Sequence, residues 1–160
     1  MNLPTKIVLN EKMIPHLEID FMNNTHFEEI KMVKLIGKLI SSYQKNDTQS
    51  EEEINQITCS LEEWLDHTRA HFTRENTLMM EINFPAYPIH SGEHEKVLTE
   101  MTSIVEEWKK NNDIEALVDY VFYRWPSWFD QHVNSMDMMT AKIAVMHGFD
   151  PHSLPQQQDQ

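Results

Sequence analysis

Apolar residues recur at three- and four-residue spacing in four stretches of the chain, the periodicity of amphipathic helices. The first stretch runs roughly from Asn23 to Tyr43. Phe27, Ile30, Met32, Val33, Ile36, Leu39 and Ile40 form its apolar stripe, and Asn23, Asn24 or Thr25 could cap its start. The second runs from about Gln49 to Met80 through Ile54, Ile57, Leu61, Trp64, Leu65, Phe72 and Met79, with Glu51 to Glu53 suiting its positive N-terminal end. Pro85 and Pro88 then forbid continuation. A third spans about Ser91 to Lys110, with Val97, Leu98, Met101, Ile104, Val105 and Trp108. The fourth is interrupted: Ile114 to Arg124 forms one piece, and Pro126 starts or kinks a longer one to about His147, which Gly148 and Pro151 end.

Helices of about 20 residues are each roughly 30 Å long. Four of them on short connections predict an all-α fold, an antiparallel up-down four-helix bundle. Residues 1–152 are expected to form a single domain, with an N-terminal arm over about 1–20, and 153–160 reads as a short solvated tail.

Composition narrows the function classes. The 160 residues are 40% hydrophobic, enough for one core, and 13 basic against 26 acidic residues give a net charge of −13. Such a chain repels phosphate backbones and anionic lipid, so neither nucleic acid nor membrane is expected as a partner. The apolar runs fall short of a membrane span, and MNLPTKIVLNEK has no signal-peptide core, which predicts a cytoplasmic protein. The single cysteine, Cys59, rules out an internal disulfide, a CxxC zinc site and a CxxCH haem attachment, and is expected to be an inert buried thiol. Met79, Met80, Met101, Met136, Met138 and Met139 read as gap-filling core rather than a copper site. Nine histidines beside three glycines point to helices that carry imidazoles.

On the second helix His71 and Glu75 are four apart and share a face, as do His90 and His94 on the third. The fourth carries His132 and Asp137, and His26 lies near the start of the first. In a bundle of alternating direction, the start of the first helix, the end of the second, the start of the third and a late position on the fourth lie toward the same end. Five imidazoles and two carboxylates therefore converge on one layer. Seven donors exceed the four of tetrahedral zinc. They suit two octahedral first-row ions, iron or manganese, with both carboxylates bridging. The five-residue step from His132 to Asp137 turns about 500°, about 140° net of a full turn, which does not align them on an ideal helix. A local π-type widening would bring them together.

One His, then HxxxE, HxxxH and HxxxxD, met here by His26, His71 with Glu75, His90 with His94, and His132 with Asp137, resembles the hemerythrin family. MNNTHFEEI, HTRAHFTRENTLMMEINFPAYPIHSGEHEKVL and WPSWFDQHVNSMD are similar to bacterial single-domain members, over about Met22 to Asp150. The resemblance implies a four-helix bundle around a non-haem di-iron site that binds O2 reversibly. His90, His94 and His132 would serve one iron, and His26 and His71 the other. Glu75 and Asp137 would bridge both, with an oxo or hydroxo group between the ions. O2 would bind at the open place on the two-histidine iron and be held as hydroperoxide. Phe72 is the candidate for an apolar lining of that pocket.

Three positions depart from the family's pattern. Glu29 stands where a bulky apolar residue is common. There it could ligate iron, shuttle protons or speed autoxidation, or point to solvent while Ile30 or Phe27 fills the O2 pocket. Thr140 replaces a frequent tyrosine, and His67 lies one turn before His71, either on the surface, behind the ligands or as an alternative ligand. The functional expectation is O2 carriage, storage, delivery or sensing. The alternative is a di-iron enzyme handling peroxide, nitric oxide or O2, and an iron- or redox-responsive regulator is a third reading. No Glu-x-x-His pair is present for ferritin-type iron oxidation. The sequence leaves open a homo-oligomer and a redox partner.

Overall fold

The computed structural model describes Lys12 and residues 14–156; the rest of the expected arm, and tail residues 157–160, lie outside the described residues. Helix α1 spans Asp20–Lys45, α2 Glu51–Glu81 and α3 Tyr87–Asn111. The fourth rod is continuous, because residues at every junction keep right-handed helical torsions. It consists of α4 (Ile114–Val118), a π-helical stretch (Asp119–Arg124), α5 (Trp125–His132), a second π stretch (Val133–Asp137) and α6 (Met138–Met146).

Contacts at the two ends give the directions. Tyr43, late in α1, meets Trp108, late in α3, edge-on at 5.6 Å, and the Trp108 indole N–H donates to Thr58 Oγ1 near the start of α2 at 3.0 Å. At the opposite end His26, early in α1, lies 5.6 Å from His71, late in α2, and His90, early in α3, lies 4.9 Å from His132. The rods alternate, as four helices on short connections predict.

Helix ends depart from the expected ones for local reasons. α1 begins three residues before Asn23 with no side-chain cap; Asn23 instead holds Leu17, accepting from its N–H and donating to its carbonyl. α2 opens with a capping box: Ser50 Oγ accepts from the Glu53 N–H, and Glu53 accepts from the Ser50 N–H. α3 starts at Tyr87 rather than Ser91, because Pro88 falls in the first turn, where a missing N–H costs nothing. Pro126 does not break the fourth rod. The π stretch before it uses an N–H to carbonyl step of five residues, from Trp125 to Tyr120, which re-registers the ladder ahead of the proline. Gly148, at φ +92°, supplies the left-handed stop after α6.

The core is a column of large side chains, among them Trp64, Trp108, Trp125, Phe122 and Phe129, all fully buried. Several sequence expectations fail at its edge. Phe27 is 64% exposed, with Lys31 over its ring, and Met80 and Met139 also face outward, although Met79 and Met101 are core. Cys59 is exposed, not buried. The tail is not free up to Gln156: Asp20 donates its N–H to the Pro151 carbonyl, Pro155 is buried, and the Gln156 N–H reaches Glu81.

Trp108 packs at the end of the bundle away from the histidines. Replacing it with alanine should cost about 3–5 kcal/mol of folding stability. Urea denaturation checks this, and metal uptake by the folded variant should be unaffected.

Candidate metal centre

All seven predicted residues are buried and meet in one layer. α1 supplies His26, α2 His71 and Glu75, α3 His90 and His94, and the fourth rod His132 and Asp137. The second π stretch, Val133–Asp137, is the widening that the five-residue spacing requires, and it brings Asp137 Oδ1 to 3.0 Å from His132 Nε2.

The donors form two groups that share both carboxylates: Glu75, His90, His94, His132 and Asp137 in one, and His26, His71, Glu75 and Asp137 in the other. Each carboxylate divides its oxygens between them. Glu75 Oε1 lies 3.3 Å from His94 Nε2 and 3.6 Å from His90 Nε2, whereas Oε2 lies 2.5 Å from His71 Nε2. Asp137 Oδ1 faces His90 and His132 Nε2 at 3.1 and 3.0 Å, and Oδ2 faces His26 Nε2 at 2.9 Å. Glu75 Oε1, Asp137 Oδ1 and His94 Nε2 are buried without a hydrogen-bond partner. These orphaned atoms, which face the three-histidine side, are lone pairs a cation would take up. The residues present fit a metal.

Behind the donors, side chains fix the imidazoles. His132 Nδ1–H donates to Glu93 at 2.9 Å, His94 Nδ1–H to the Asn76 amide oxygen at 3.0 Å, His90 Nδ1–H to Thr140 Oγ1 at 2.9 Å and His71 Nδ1–H to Glu29 at 3.4 Å. Carboxylate and amide oxygens only accept, and the Thr140 hydroxyl gives its own hydrogen to Met79 Sδ, so the proton sits on Nδ1 and Nε2 is turned to the centre. His26 Nδ1 is the exception, with no partner.

The chain matches the family model described as Hemerythrin HHE cation binding domain over residues 16–143. The chain belongs to the hemerythrin family. It is 30% identical to a bacteriohemerythrin of Aquifex aeolicus (strain VF5) over 122 residues, 76% of this chain and 86% of that protein. A bacteriohemerythrin of Ralstonia nicotianae (strain ATCC BAA-1114 / GMI1000) is 36% identical over 86 residues, 53% of this chain and 61% of the relative. No solved structure matches the chain significantly. Membership of the hemerythrin family implies iron binding, and the cluster is able to hold metal.

Within this hemerythrin domain the three departing positions, Glu29, His67 and Thr140, all lie behind the donor histidines. Glu29 does not point to solvent; it is 1% exposed and accepts from Trp64, His67, Thr68 and His71, outside the two converging groups. Phe27 faces outward and lines an open surface cavity with His26, Ile30 and Lys31. Phe72 is buried and stacks on His94 at 4.0 Å, while also approaching His71 at 5.1 Å, so it packs against both groups. His67 is not a converging donor: Nδ1 lies 3.1 Å from Glu29 and Nε2 3.0 Å from Glu28. Trp128 anchors the centre as well as the bundle, stacking on His132 at 4.6 Å and donating to Glu93. Sequence reasoning did not find Asn76, Glu93 and Thr140 as partners of the histidines. Their signal was proximity in sequence to a donor, which many surface residues share.

Without metal, the centre is an ionic cluster. Burial opposes a charge on His71, but the Glu75 charge and hydrogen bonds to Glu29 and Glu75 outweigh it and raise its pKa from 6.5 to about 10. For His132 burial is likewise overcome, by Asp137 and Glu93, again to about 10. Burial would raise Glu75 and Asp137, yet the facing histidines hold both well below the usual carboxylate range. A metal must displace the protons of His71 and His132, which are held at neutral pH. Uptake is thus weakest in acid and strengthens as pH rises toward about 10. Calorimetry of anaerobic ferrous loading at neutral pH, in buffers of different ionisation enthalpy, should show at least two protons released, one from each histidine.

Proposed function

We propose that the chain is a non-haem di-iron protein that binds O2 reversibly, for carriage, storage, delivery or sensing in the cytoplasm. The division of the Glu75 and Asp137 oxygens between a three-histidine and a two-histidine group supports this reading most directly. His90, His94 and His132 would hold one iron, His26 and His71 the other, and the two carboxylates would bridge them. A solvent-derived oxo or hydroxo bridge would add one further ligand to each. The second group has one histidine fewer than the first, so an iron held there would have the free place that O2 needs. Iron held by these residues would supply reversible electron transfer to O2.

The chain's own residues govern what reaches that place. Phe129 packs edge-on against His26 at 5.5 Å, and Phe72 covers His71 and His94. These rings exclude water and so slow proton delivery to bound O2. No helix among the described residues is long and apolar enough to cross a membrane. The net charge of −13 argues against nucleic acid as a partner.

An enzyme acting on peroxide, nitric oxide or O2 is the second reading, and one observation favours it. A line of hydrogen bonds runs from His71 through Glu29 and His67 to Glu28 at the surface. Negative charge placed behind His71 in this way would favour the oxidised metal, and so forward reduction of O2 over its return.

Optical spectra of the ferrous protein separate the readings. A carrier gains charge-transfer bands in air and loses them under vacuum, over repeated cycles. Rapid, single passage to the ferric form with peroxide released or consumed would favour the enzyme. Phe72→Ala should accelerate autoxidation severalfold while retaining both irons, measured by stopped-flow absorbance and iron analysis.

A further inference from the structure

Each group of converging donors contains one histidine backed by a carboxylate: His132 by Glu93 and His71 by Glu29. The two supports differ. Glu93 is 30% exposed and its charge is partly met by water, whereas Glu29 is sealed inside the bundle. Trp64 Nε1–H donates to Glu29 Oε2 at 2.7 Å, while Oε1 lies within 3.0 Å of Thr68 Oγ1, 3.1 Å of His67 Nδ1 and 3.4 Å of His71 Nδ1.

The fold alone does not call for a charge at this place. Trp64 and Thr68 need only a neutral acceptor, and an apolar side chain of similar volume is commonly as stable as a buried ionic group. What an anion adds is negative potential directly behind the His71 imidazole. That polarises Nδ1–H, fixes the ring's orientation and makes Nε2 a stronger donor toward the centre. His67 opposes this effect: its Nδ1 shares Oε1 with His71 Nδ1 while Nε2 lies against Glu28 on its outer side, so it competes for the same carboxylate oxygen.

We propose that Glu29 is a positioning residue for the two-histidine metal subsite, setting the orientation and donor strength of His71, with His67 as its counterweight. This rests on the di-iron reading and deepens it. It makes the two subsites unequal beyond their histidine count, because the poorer one depends on a fully buried anion.

The test uses the full chain and its Glu29→Gln and His67→Gln variants, each checked for folding by circular dichroism. Metal affinity is read by ferrous titration against a chelator, and the reduction potential by spectroelectrochemistry. Glu29→Gln keeps the shape and one acceptor oxygen but removes the charge. It should weaken the second iron equivalent about 10- to 100-fold, leave the first unchanged and shift the potential upward. His67→Gln removes the competing imidazole and should shift the potential downward, the opposite sign. If Glu29→Gln does not fold, that downward shift alone carries the proposal. A mere packing role would weaken both variants alike, so shifts of the same sign, or no shift in either, overturn it. A parent chain that takes up fewer than two irons overturns the di-iron reading and this inference together. A parent with two irons and unaltered variants overturns only the inference.

Discussion

Two carboxylates, Glu75 and Asp137, are completely buried in the middle of a helical bundle, and the rest of the centre is built around them. An isolated carboxylate costs several kcal/mol to bury in an apolar interior. Five imidazoles surround this pair, and their Nε2 atoms point inward because four of the five rings are held from behind through Nδ1. Without metal, the carboxylates are balanced by protons on the histidines; with metal, by cations.

That constraint explains features a plain bundle does not need. The π stretch at Val133–Asp137 interrupts regular hydrogen bonding to put His132 and Asp137 on one side. Pro88 is admitted to the first turn of α3, which starts early enough to place His90 inside the helix. At the far end, Trp108, Tyr43 and Thr58 pack without any charged group of the centre. Packing at that end is separate from the donors, whereas Trp64 and Phe129 carry the core up to the centre. A loss at the aromatic end lowers stability without touching the donors.

Much of this was legible because helical spacing is a geometric code. HxxxE and HxxxH place side chains on one face, and the alternating rods bring the positions to one height. The misfit of a five-residue step even announced the π turn. Less legible were contacts that depend on how each rod is rotated about its axis. Phe27 fits the apolar stripe by composition, yet faces outward beside Lys31, while the adjacent polar pair splits: Glu28 goes out and Glu29 goes in. A burial rule would send Glu29 to water. It is inside because Trp64, Thr68, His67 and His71 on α2 offer donors to it, a match between two helices that neither shows alone. Asn76, Glu93 and Thr140 escaped for the same reason. Cys59 was assigned to the core from its residue type, but its position on α2 is exposed.

The central claim is that these seven side chains hold two iron ions in unequal surroundings, shared through Glu75 and Asp137. Mössbauer spectroscopy of the chain loaded anaerobically with isotope-enriched ferrous iron tests it most directly. Two high-spin ferrous sites in equal amounts, with distinguishable quadrupole splittings, are predicted. A single site, or one iron per chain, would contradict it.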